Sequence, residues 1–188
     1  MKRPFRKNIT ICGIKHAGKT SAARALAALT GLGCSDSDDA LGVLFRMETG
    51  KQASVREIYL ELGETEFRKL EVRALRKLFS AACPGIIALG GGVLSNPFLS
   101  NEDRENFGFL CCLDVRDETA YRRILACGLP PFLKDKTDPF AALCEMNAAR
   151  RSAFRLYADI VIQADVIPDV TPEKTAERIL SAYEEFAS

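Results

Sequence analysis

The run Gly13-Ile14-Lys15-His16-Ala17-Gly18-Lys19-Thr20 has the G-x-x-x-x-G-K-[ST] spacing of a phosphate-binding loop. Glycines at its two ends let the backbone wrap closely, so successive N–H groups, those of Lys15, His16, Ala17 and Gly18 among them, can point at phosphate oxygens. A helix opening on Lys19, Thr20 and Ser21 adds the positive end of its dipole. Lys19 is then placed to reach the β- and γ-phosphates of a nucleoside triphosphate, and Thr20 to ligate Mg²⁺. His16, the single histidine, reads as a loop residue whose backbone N–H binds phosphate while its ring points away. Chemistry at such a loop rests on positioning and charge, not on a loop base.

A phosphate loop alone says nucleotide binding; an acceptor has to come from other residues. Cys34-Ser35-Asp36-Ser37-Asp38 follows a short strand-like segment. An acid at such a strand end can hold Mg²⁺ through water or take a proton from an attacking hydroxyl. Either aspartate could equally cap a helix. Arg68 lies four residues after Glu64 and three before Glu71, a spacing that also suits a surface ion pair. Gly90-Gly91-Gly92 close a short apolar run, which points to close backbone approach. Arg150 is a further cation ahead of the last apolar run and could equally cover a helix surface.

The elements that must position these residues alternate between short apolar runs and longer periodic stretches. Asn8–Cys12, Gly85–Leu89, Phe107–Leu113 and Asp159–Gln163 read as strands buried on both faces, with Leu32–Ser35 a weaker fifth. Lys19–Leu29 places Ala22, Leu26 and Leu29 on one helical face and stops at Gly31. Glu64–Ala82 does the same with Phe67, Leu70, Ala74, Leu78 and Ala81. Asp117 can cap a helix ending at Gly128, and Thr171-Pro172-Glu173 opens a last helix that buries Ala176, Ile179, Tyr183 and Phe186. The stretch Gly128–Pro139, rich in Pro and charge, has no helical period and reads as a mobile surface segment. The expectation is an α/β three-layer P-loop kinase fold, one domain over 1–188, with a central parallel sheet of about five strands and helices on both faces.

Composition fits a globular enzyme: 188 residues, 47% hydrophobic and 27% charged, with a formal net charge of +1. Near-neutral charge argues against nucleic acid as a partner. No apolar run approaches the length of a membrane span. The basic start Met1–Lys7 precedes an apolar stretch, Ile9–Ile14, too short for a signal segment and stopped by Lys15. Seven cysteines, an odd number without a C-x-x-C pair, read as small hydrophobes in a reducing compartment, so a cytoplasmic location is expected.

In chain order the sequence carries the phosphate loop, Asp36-Ser37-Asp38, Gly63-Glu64-x-x-Phe67-Arg68-x-x-Glu71, Leu89-Gly90-Gly91-Gly92 and Arg150…Ala158-Asp159. This series, from about Asn8 to Gln163, resembles the shikimate kinase family. The resemblance implies Mg-ATP-dependent phosphorylation of the shikimate 3-hydroxyl by a monomer. It assigns Asp38 to the acceptor hydroxyl, Asp36 to Mg²⁺ through its shell, and Arg68 with Arg150 to the acceptor carboxylate. Gly90, Gly91 and Gly92 would admit the acceptor ring, Phe67 would wall the pocket, Arg123 would lie along the adenine, an acceptor-binding segment would span about 38–67 and a lid about 126–139. Three departures stand out. Where the family has R-P-[LF]-L in the lid, with an arginine that reaches the transferring phosphoryl, this chain has Leu129-Pro130-Pro131-Phe132-Leu133, Pro130 replacing the arginine. Lys15, Lys134 and Lys136 are the cations proposed to supply that charge. The stretch 39–62 is longer than the family pattern, and Phe154 stands for a tyrosine. A kinase for another small hydroxy acid, gluconate-like, and a non-catalytic nucleotide-binding relative are the alternative readings.

Overall fold

The computed structural model describes residues 7–80, 83–166 and 169–188. Five strands form one sheet: β1 (Ile9–Gly13), β2 (Cys34–Asp36), β3 (Ile86–Ala88), β4 (Phe109–Asp114) and β5 (Ile160–Gln163). They run in the order β2-β3-β1-β4-β5, every neighbouring pair parallel. Every residue of β1, β3 and β4 is buried. Strands covered on both faces have no polar side to alternate, and their sequences, ITICG and FLCCLD, are accordingly almost unbroken apolar runs. Of the two polar exceptions, Thr10 is fully buried and its hydroxyl donates to the Phe107 carbonyl at 2.7 Å, and Asp114 pairs with Arg151. The expected strands hold to within a residue or two at each end, the weak fifth included, but β5, at the edge of the sheet, is not buried on both faces, with Val161 45% exposed.

Helices connect and cover the sheet: α1 (Lys19–Thr30), α2 (Ser37–Thr49), α3 (Val55–Phe79), α4 (Asn101–Glu105), α5 (Asp117–Cys127), α6 (Pro131–Lys134), α7 (Pro139–Tyr157) and α8 (Pro172–Phe186). α1 packs on α8 and β3, while α7 packs on β1 and on the 3₁₀ turn Val93–Ser95. α3 breaks at Gly63, whose φ of 72° and ψ of 169° are not helical, so a new helical segment starts at Glu64 as its periodicity suggests. The main core runs through the sheet, a second apolar cluster joins α2 to α3, and a third, small one joins Ile124, Leu133 and Leu143.

Several expectations need correction. Leu29 and Phe186 lie at the margin of their helical faces and are 41% and 47% exposed. The stretch Gly128–Pro139 contains the one-turn helix α6 and buries Leu133, because Pro131 can open a helix and Leu133 finds an apolar partner set in α5 and α7. Asp117 is the first residue of α5 and Arg116 its cap position, since the Asp117 carboxylate is taken by Arg151 and Asn147. Cys12, Cys111 and Cys112 are buried hydrophobes as expected, whereas Cys34, Cys83 and Cys127 are exposed. Ala81, Ala82 and the basic start through Arg6 lie outside the described residues.

Candidate active site

The phosphate loop joins the end of β1 to α1. Gly13 has a φ of 146°, and a Cβ there would lie 2.0 Å from the Leu113 carbonyl oxygen of β4, so only glycine lets the strand turn out of the sheet at this point. His16, at φ 62°, is the residue of the loop that carries a side chain in the left-handed region. Its carbonyl accepts a hydrogen bond from Arg123 Nη1 on α5 at 2.8 Å. Burial, then the charges of Lys15, Lys19 and Arg123, push the His16 pKa down, which keeps the ring uncharged at neutral pH. Ala17 is buried, its N–H turned to the Ile14 carbonyl at 3.3 Å; Lys15 and Ser21 are exposed. Gly18 occupies the cap position of α1.

Lys19 folds back along the loop. Its ammonium donates to the Gly13 and Ile14 carbonyls at 3.0 and 2.9 Å. Burial lowers its pKa, and the Asp38 charge is the chief opposing influence. Thr20 Oγ1 donates to Asp36 Oδ2 at 2.9 Å, and Asp36 Oδ1 accepts the Asp38 N–H at 2.9 Å. Asp36 is therefore both the N-cap of α2, as the capping reading expects, and the hydrogen-bond partner of the loop threonine. These hard oxygen donors fit a Mg²⁺ that arrives with a nucleotide. Among the described residues no group of three or more His, Cys, Asp or Glu forms a cage of its own.

Asp38, in the first turn of α2, faces the Gly90–Gly92 turn that follows β3. A Cβ on Gly90 would meet Asp38 Oδ1 at 2.5 Å, and the Gly90 N–H donates to the buried Ser37 Oγ at 2.7 Å. The Asp38 carboxyl is reachable from the cleft yet set deep among protein atoms. Burial first, then the charges of Asp36 and Glu71, push its pKa up to about 6, with Lys19 pulling the other way.

Two guanidinium groups approach the same turn. A Cβ on Gly92 would lie 2.8 Å from Arg68 Nη1, so the Arg68 fork rests against the bare glycine backbone. Its other side faces the Phe67 ring, 5.7 Å from the centroid. Phe67 is buried and meets Tyr59 edge-on at 5.3 Å. The i,i+3 pair of Arg68 with Glu71 does form, at 3.0 Å, but Glu71 is only 5% exposed, so this is an internal pair and not a surface one. A Cβ on Gly91 would lie 3.6 Å from Arg150 Nη1 and 3.7 Å from the Gly13 carbonyl oxygen, so both Arg150 and the start of the phosphate loop approach the turn at Gly91. Burial and then the neighbouring Arg68 charge lower the Arg150 pKa. Gly90 and Gly92 thus make room for protein side chains, whereas a Cβ on Gly91 would make only ordinary contacts.

Besides Glu71, which the spacing already pairs with Arg68, three supporting residues, Ser37, Asn96 and Arg151, are not singled out by the sequence. Glu71 and Asn96 hold Arg68, and Ser37 holds Gly90. Arg151 turns away from Arg150: its Nε donates to both Asp114 oxygens at 3.0 and 2.9 Å, Nη1 to Asp117 Oδ2 at 2.9 Å and Nη2 to the Val115 carbonyl at 2.8 Å. This clamp ties α7 to the end of β4 and turns Arg150 inward. The lid cations Lys134 and Lys136 are exposed.

A strand–loop–helix cradle at the carboxyl end of an open parallel sheet, with a carboxylate and two arginines gathered at the neighbouring glycine turn, defines the class of P-loop phosphotransferases. Comparison with known proteins narrows this class. A family model described as shikimate kinase matches residues 15–184. The shikimate kinase of Caldanaerobacter subterraneus is 33% identical over 177 residues, covering 94% of this chain and 96% of that protein. That of Thermodesulfovibrio yellowstonii is 28% identical and covers 97% and 98%. Among solved structures, shikimate kinase from Acinetobacter baumannii in complex with shikimate superposes with a TM-score of 0.75 at 26% identity, over 95% of this chain and 93% of that one. The Bacteroides thetaiotaomicron enzyme, 24% identical, shares the fold with the same TM-score over 95% and 98%. The chain belongs to the shikimate kinase family.

Proposed function

We propose that this protein transfers the γ-phosphoryl group of ATP to the 3-hydroxyl of shikimate. The observation that carries the reading is the meeting of Asp38, Arg68 and Arg150 around Gly90–Gly92, beside the phosphate loop. The Arg68 charge repels that of Arg150, and the internal carboxylate Glu71 pairs with Arg68. A planar carboxylate on the acceptor relieves that repulsion and matches the guanidinium fork.

In this reading the loop N–H groups and Lys19 cradle the β- and γ-phosphates, and Arg123 stacks along the adenine. Thr20, and Asp36 through water, would hold Mg²⁺, which would neutralise charge on the nucleotide. Asp38 orients the acceptor hydroxyl and takes its proton as the new O–P bond forms and the bond from the γ-phosphorus to the bridging oxygen breaks. A carboxyl pKa pushed up to about 6 suits a proton acceptor, because the group is ionised at neutral pH and more basic than an ordinary aspartate. Lys15, Lys134 and Lys136 are the candidates for the charge that the lid, with Pro130, does not carry.

The test is ADP release from Mg-ATP with and without shikimate. Strong shikimate-dependent release is expected, lost by about 10³-fold or more in Asp38→Asn. Of Lys15→Ala, Lys134→Ala and Lys136→Ala, at least one should lower kcat with little change in either KM. Full turnover in all three would remove them from the mechanism. No shikimate effect in a protein that binds ATP would redirect the search to other hydroxy acids.

A further inference from the structure

Asn96 sits just past the 3₁₀ turn Val93–Ser95, 2% exposed, at the end of the segment that begins with the three glycines. Its Oδ1 accepts the Phe98 N–H at 2.9 Å, which fixes the orientation of the amide and directs Nδ2 toward α3. Nδ2 there donates to two acceptors, the Arg68 carbonyl at 2.8 Å and Glu71 Oε2 at 2.8 Å. The same Oε2 accepts Arg68 Nη1 at 3.0 Å. One side chain from the glycine turn therefore holds both the backbone of Arg68 and the carboxylate that aims its guanidinium.

We propose that Asn96 is the positioning residue for acceptor carboxylate recognition: it locks Glu71 against Arg68, so that the arginine keeps its remaining donors turned to the acceptor. This rests on the reading of the acceptor as a carboxylate given above. The physical case is one of competing partners. Glu71 is a buried carboxylate, and a buried charge takes whatever donors are within reach. With Asn96 in place, its Oε2 is shared between a neutral amide and one guanidinium nitrogen. Without the amide, Arg68 becomes the nearest donor able to satisfy it, and the fork is drawn toward α3. Gly92 closes the opposite side, since a Cβ there would overlap Nη1, so the guanidinium is confined between glycine backbone and Glu71. The bond to the Arg68 carbonyl keeps α3 and the glycine turn, the two walls that carry the acceptor contacts, at a constant separation.

The experiment compares wild type with Asn96→Ala and Asn96→Asp in steady-state turnover of shikimate and of its methyl ester, which lacks the charged carboxylate. The expected result is a KM for shikimate raised about tenfold or more by either substitution, because a hydrogen bond to a charged group is lost. The KM for ATP and kcat should stay within about threefold, and turnover of the methyl ester, already poor with wild type, should not change further. Asn96→Asp matches the native side chain in size, loses the amide N–H donors, and carries the test should Asn96→Ala not fold. An unchanged shikimate KM in a folded variant overturns the proposal. So does a loss that falls equally on ATP, ester and shikimate, which would mark Asn96 as a packing residue only. If wild type itself shows no shikimate-dependent ADP release, the acceptor reading fails and this proposal fails with it. That outcome is distinct from an active wild type whose Asn96 variants are unimpaired.

Discussion

Gly90 and Gly92 act through the atoms they lack. Asp38 Oδ1 and Arg68 Nη1 lie 2.5 and 2.8 Å from where their Cβ atoms would be, and both neighbours are the movable ends of side chains. A methyl group at either position should displace the charged group without unfolding the protein, and the two displacements should read out differently. Gly90→Ala shifts the proposed proton acceptor and is expected to lower kcat about 100-fold, the scale of a 1 Å misplacement at a reacting centre. Gly92→Ala shifts the carboxylate fork and is expected to raise the KM for shikimate about tenfold with kcat changed by a few-fold at most. Steady-state kinetics separates them, and an identical pattern for both would argue against distinct roles for Asp38 and Arg68. What the residues reveal in sequence depends on range. The phosphate loop is local, eight residues whose spacing states its chemistry. The pairing of Arg68 with Glu71 is visible as a spacing, but its burial is not. The hold of Asn96 on both crosses 25 to 28 residues and needs the fold to exist first.

At the scale of elements, the supports of the site are held by ionic clamps at helix ends. Asp103 caps α4 through Ser100 and accepts Arg76 Nε and Nη2 of α3 at 2.8 and 2.9 Å, fixing the segment after the glycine turn to the helix that carries Arg68. The bonds from Arg76 hold the Asp103 carboxyl well below the usual carboxylate range. Its folded pKa is thus lower than its unfolded one. The stabilisation is present in full above the unfolded value, about 4, and is lost as pH falls from there toward the folded value. Asp103→Asn should cost about 2 kcal/mol at pH 7 through the weakened cap and the lost charged hydrogen bonds, about 6 °C in Tm. Thermal melts across pH should find that gap shrinking between about pH 5 and pH 3, and a gap independent of pH would place the contribution elsewhere. α4 and α7 are also the elements that the sequence pattern hides. α7 buries Leu143, Asn147 and Phe154, a helical spacing interrupted by a polar residue, and its Asp138-Pro139 start looks like the end of a Pro-rich loop. The side chain of Asn147 makes sense on a buried face only once it donates to Asp117 of α5 at 2.7 Å.

For the whole molecule, the alternation of strand and helix is legible because strands buried on both faces announce themselves as apolar runs. The division into three apolar clusters is not, because it depends on which helices meet. The main core follows the sheet, while the segment expected to act as a lid is anchored by Leu133 in a small cluster with Ile124 of α5 and Leu143 of α7, against which Tyr121, Leu129, Ala142 and Met146 pack. A cluster of this size cannot match the sheet in stability, and segments that open for ligands are drawn from such low-stability regions. Removing a buried leucine from a single cooperative core costs about 2–5 kcal/mol globally. Leu133→Ala, at a position 1% exposed, should instead loosen the lid alone. Hydrogen exchange is expected to speed up across 121–146 while the amides of β1 and β4 keep their protection. In turnover the same variant should raise the ratio of ATP hydrolysis to acceptor phosphorylation, since a lid that closes poorly admits water as the competing acceptor. Equal loss of protection in lid and sheet would mean that the protein unfolds as one unit and that the lid gains its mobility only when nucleotide leaves.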